Sequence, residues 1–116
     1  MDNTRAPLGR WYMGETEAAA ALAQLGLDRA AQEARQDAAC LRGLAKLTEQ
    51  PLPPTVPAGR TGKNSWDLRR LYGRSLQLQR EYEAHADDPE YGRVFALLAQ
   101  HKARRCVTLL SWLGGR

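Results

Sequence analysis

Aromatic side chains are scarce in this chain, at 7% of 116 residues with a single Phe, and isoleucine is absent. Strands draw on β-branched and aromatic residues, so this shortage argues against a sandwich or barrel. Leu and Ala are left to build the core, and with Arg, Gln and Glu they favour helix. Cysteine is equally sparse. Cys40 and Cys106 lie far apart and make no disulfide framework. Only two histidines occur, His85 and His101, each separated from other ligand-type residues at metal spacing, so helix-end or surface roles are expected. No apolar run approaches the length needed to span a bilayer, and no membrane partner is expected. The opening Met1-Asp2-Asn3-Thr4-Arg5 is polar and no apolar stretch follows it, which argues against a secretory signal. A cytoplasmic home with both thiols reduced is the expectation.

What is present is ordered by helical periodicity. The length suits one domain, 1–116, of common size. Leu8, Trp11, Glu15, Ala18, Leu22 and Leu25 recur at three- and four-residue steps and predict a helix over about 8–26. Gly26 supplies a stop and Asp28 a cap for a second helix over 28–49. Its inner face is expected to carry Ala30, Ala34, Asp37, Leu41 and Leu44, with Cys40 beside them. The stretch 50–64 contains Pro51, Pro53, Pro54 and Pro57 and forbids helix, so it reads as a long crossover. Asn64 or Ser65 can cap a third helix over 65–86, with Leu68, Leu71, Ser75, Leu78, Tyr82 and Ala86 on one face. Asp87 or Asp88 followed by Pro89 then starts a fourth over 88–113. Its stripe is Phe95, Leu98, Ala99, Lys102, Ala103, Cys106, Leu109, Leu110 and Leu113. Short, long and short connections define an all-α, up-down four-helix bundle with one crossover between helices 2 and 3. Polar residues interrupt each stripe near its middle: Glu15, Asp37, Ser75 and Lys102.

The second helical pair, with Tyr82-Glu83-Ala84-His85-Ala86, the Asp88-Pro89-Glu90 connector and Phe95-Ala96-Leu97-Leu98-Ala99, resembles the second hairpin of rubrerythrin-like proteins in the ferritin-like superfamily. That resemblance implies a Glu from the first helix of each hairpin and a Glu-x-x-His from the second, together binding two irons that react with oxygen or peroxide. Hard carboxylate oxygens and imidazole nitrogens must converge at one level for that chemistry. This chain departs from the pattern. Glu15 keeps a carboxylate, but the second position reads Asp37-Ala38-Ala39-Cys40, with a shorter acid and a thiol in place of imidazole. The third is Ser75, and the fourth reads Lys102-Ala103-Arg104-Arg105, placing cations at both ligand positions.

Buried carboxylates that lose a metal need another cation. Pairing of Lys102, with Arg105, to Glu15 and Asp37 is therefore one expectation. The competing one places Lys102 and Arg105 at the edge of the fourth stripe, reaching into water, with the buried seam running through Ala99, Ala103, Cys106 and Leu110. On function, the leading expectation is a non-enzymatic, metal-free relative of rubrerythrin that acts as a structural or interaction module, with no cofactor. The alternative is an oxidoreductase that holds iron or manganese on Glu15, Asp37 and Cys40. A third option is a basic bundle that touches phosphates through Arg60, Lys63, Arg70 and Arg74; nucleic acid is the less favoured partner, because no helix-turn-helix or stacking-aromatic pattern accompanies the charge. The positive excess supports it only loosely: the net charge is +4, and all of the excess follows residue 49. Cys40 and Cys106 could face each other, though small buried thiols are the commoner role. Trp11, Trp66 and Trp112 fall near helix ends, where they would close the core or, if exposed together, mark an oligomer surface. A thin, Ala-rich bundle gains from a second copy, so a homodimer is the favoured assembly.

Overall fold

The periodic Leu- and Ala-rich stretches form four α-helices in the computed structural model, which describes residues 6–53 and 68–114. They are α1 (Leu8–Gln24), α2 (Asp28–Thr48), α3 (Leu68–Ala84) and α4 (Gly92–Gly114). No strand occurs among the described residues. The fold class is all-α: α1 packs on α2 and α3 on α4, the pairing that an up-down four-helix bundle requires. Each pair is a compact helical hairpin.

In the first hairpin the chain enters α1 through Pro7, whose carbonyl accepts the Trp11 N–H at 3.1 Å. Leu8, Trp11, Ala18 and Leu22 are buried as the periodicity predicts, and Trp11 is fully buried. The helix ends two residues before the expected 26, because Gly26 adopts φ +82° and turns the chain. The Gly26 N–H then donates to the Ala23 carbonyl at 3.0 Å and the Leu27 N–H to the Leu22 carbonyl at 2.9 Å. Those two bonds satisfy carbonyls that the last helical turn leaves open. The expected cap at Asp28 is corrected by the same geometry. Leu27 occupies the cap position, its carbonyl accepting the Ala31 N–H, and Asp28 is the first residue of α2. Its carboxylate there lies at the positive end of the helix dipole.

The buried face of α2 is Ala31, Ala34, Asp37, Ala38, Leu41, Leu44 and Ala45. Ala34, Asp37, Leu41 and Leu44 are buried as expected, whereas Ala30 is only half-buried and Cys40, expected beside the stripe, faces solvent. The helix closes with a second turn of the kind seen at Gly26. The Gln50 N–H donates to the Ala45 carbonyl at 2.9 Å and the Glu49 N–H to that of Lys46 at 3.3 Å. Here, however, the left-handed residue is Glu49, at φ 59°. A side chain with a Cβ is strained in that region, and its negative charge opposes the helix dipole. Glu49→Gly is expected to stabilise the protein by about 1 kcal/mol in urea-denaturation midpoints, since the gain exceeds the added freedom of the unfolded chain. Unchanged or lower stability would contradict the assignment of strain there.

In the second hairpin Leu71, Ser75, Leu78 and Tyr82 of α3 are buried, while Leu68 and Ala86 are half-buried. The expected start of this helix at residues 65–67 lies outside the described residues. The helix ends at Ala84, two residues early, as His85 and Ala86 tighten onto the Tyr82 and Glu83 carbonyls. The connector begins as the sequence predicts, with the Asp88 carboxylate accepting the Glu90 and Tyr91 N–H groups, both at 2.8 Å. It caps a single turn, and α4 starts at Gly92, not at residue 88. Gly92 sits against the Ala86 carbonyl, so a direct run of helix from Pro89 has no room for a side chain at this crossing.

Candidate functional site

The packing of α4 overturns the expectation that Lys102 and Arg105 reach into water. Phe95, Leu98, Ala99, Cys106 and Leu109 are buried, and so are Lys102 at 0% exposure and Arg105 at 2%. Leu110 and Leu113, expected in the stripe, are 49% and 36% exposed, and Ala103 is half-buried. The seam runs through both cations, not through Ala103 and Leu110. Neither Lys102 nor Arg105 reaches into water.

Packing within this hairpin gives each cation a neighbour on α3. The Lys102 ammonium lies 5.8 Å from the centre of the Tyr82 ring, where the aromatic face attracts a cation. The Arg105 guanidinium donates from Nη1 to the Ser75 hydroxyl oxygen at 3.5 Å. Ser75 and Arg105 are thus brought together, the two positions where the resemblance implies a Glu and a His. Tyr82 is a site neighbour that the sequence reading left among core residues. Its signal was present, since it lies two helical turns beyond Ser75 on the same stripe.

The matching positions on the first hairpin are also buried, Glu15 at 0% and Asp37 at 3% exposure. Glu15 and Asp37 are the acids that sequence periodicity places inward, on α1 and α2. Cys40 does not join them. It is exposed, and its thiol is pushed above the ordinary range, first by desolvation and then by the neighbouring Asp37 charge. Cys106 is a free thiol buried on α4. Burial raises its titration point most strongly, and the Arg105 and Lys102 charges oppose that rise. Both groups are therefore neutral thiols near neutral pH, one exposed on α2 and one buried on α4. A thiol reagent at pH 7.4 is expected to label Cys40 in the folded protein and Cys106 only after denaturant is added. Labelling of Cys40 should accelerate as pH rises beyond the ordinary thiol range. Equal labelling of both cysteines without denaturant would contradict the burial of Cys106.

These donors do not fit a di-iron centre. A hydroxyl, an ammonium and a guanidinium stand at the three positions of the second hairpin, and neither cation can offer a lone pair to a metal. Among the described residues, no group of three or more His, Cys, Asp or Glu side chains gathers in metal-binding geometry. His85 serves the helix end instead. Its Nδ1 lies 3.1 Å from the Glu81 carbonyl, and its ring meets that of Phe95 edge-on at 6.2 Å.

Of the basic set, Arg70 and Arg74 are exposed one turn apart on α3, while Arg60 and Lys63 lie outside the described residues. Of the tryptophans, Trp11 is buried, Trp112 is 55% exposed and Trp66 lies outside the described residues, so no shared tryptophan surface is formed by Trp11 and Trp112. No helix among the described residues is long and apolar enough to cross a membrane. No family model, no curated protein and no solved structure matches this chain.

Proposed function

We propose that this chain is a non-enzymatic, metal-free helical module of the ferritin-like kind in which side-chain cations stand at positions that would have to hold metal ligands. The observation that carries the reading is the burial of Lys102 and Arg105 at the positions where the resemblance implies a Glu and a His. The argument is electrostatic. A di-metal centre neutralises buried carboxylates, and removing a cation from such a set costs several kcal/mol per charge. The buried Asp, Glu, Lys and Arg side chains among the described residues are Glu15 and Asp37 on the first hairpin and Lys102 and Arg105 on the second. On the second hairpin two cations are already buried, so a dication added beside them would meet charge of its own sign. Chemistry at iron also needs open coordination positions beside hard donors. Tyr82 and Ser75 instead occupy the surroundings of the two cations.

Such a module acts through its surface, by holding another molecule or another copy of itself. A homodimer remains the assembly proposed, with a sedimentation mass twice the 12.9 kDa of one chain.

Thermal melting with and without a chelator, and with added Fe2+ or Mn2+, tests the metal-free reading. The midpoint is expected to stay within about 1 °C in all four conditions. A ligand that binds only the folded state adds about 2.7 kcal/mol at one hundred times its dissociation constant, so a bound metal would raise the midpoint by roughly 10 °C. A rise of that size, together with turnover of hydrogen peroxide, would replace this reading with the oxidoreductase built on Glu15, Asp37 and Cys40.

A further inference from the structure

We draw no further inference here: the strongest candidate, the exposed apolar side chains of α4, Leu97, Val107, Leu110 and Trp112, carries nothing because nothing in the structure shows what covers them.

Discussion

Lys102→Met is expected to lower the stability of the folded protein by about 3 kcal/mol, or roughly 12 °C in the melting midpoint. Met keeps most of the length and apolar stem of Lys, so packing alone predicts a small change, under about 1.5 kcal/mol. The larger loss comes from charge. Lys102 is fully buried, with its ammonium beside the Tyr82 ring. Removing a buried ammonium leaves the polar groups that surround it unmatched, and that costs more than the side chain itself contributes. Part of the loss also comes from the Tyr82 ring, which attracts an ammonium and not a thioether in the same way. Lys102→Arg preserves the charge and is expected to lose less than Lys102→Met, although the larger guanidinium strains a full core. A Met variant as stable as the parent would show that the buried ammonium contributes nothing beyond its apolar stem.

Gly92→Ala is the second large effect. An added Cβ would collide with the Ala86 carbonyl oxygen and come within 3.0 Å of its carbon. Both atoms belong to backbone in the connector, so no side chain can rotate away. The connector is also held by the Asp88 carboxylate and by the Gly92 N–H, which donates to the Asp88 carbonyl at 2.9 Å. Relief requires moving the start of α4 against α3, at a cost of about 2–3 kcal/mol. Gly73→Ala is the matched control. Gly73 lies within α3, exposed, with nothing near an added methyl. There Ala is expected to stabilise by about 0.5–1 kcal/mol, because Gly weakens a helix interior through its extra freedom. Urea denaturation of the two variants should move in opposite directions. A Gly92→Ala midpoint equal to the parent's would remove the close crossing from the account.

The sequence predicts the helices well because each carries a strong apolar repeat, and Leu8, Trp11, Leu22, Leu41, Leu44, Leu71, Leu78 and Leu98 all sit in the core. Helix ends are less legible, and for a physical reason. Gly26 announces its turn by composition, whereas Glu49 adopts the same left-handed conformation with no residue signal at all. Asp88 reads as a helix cap and does cap a turn, but the crossing at Gly92 interrupts the helix, and only the third dimension shows that contact. Rotation of a helix about its axis is the hardest quantity to read. On α4 two stripes, one through Lys102 and Arg105 and one through Ala103 and Leu110, fit the periodicity almost equally. Hydrophobicity favours the second; the structure has the first. The same ambiguity at the edge of a stripe leaves Cys40, expected beside the inner face of α2, in solvent. Ser75 and Arg105 were each legible as departures from a ligand pattern, but their contact across α3 and α4 depends on that rotation.

Metal content by mass spectrometry is the measurement that bears most directly on the central claim. The protein would be expressed with ample iron and manganese and purified without chelator, with its helicity checked by circular dichroism. The account predicts a folded helical protein carrying far less than one metal ion per chain, because Ser75, Lys102 and Arg105 stand where the resemblance implies metal ligands and the two cations offer no lone pair. Near-stoichiometric iron or manganese in the folded protein would contradict it.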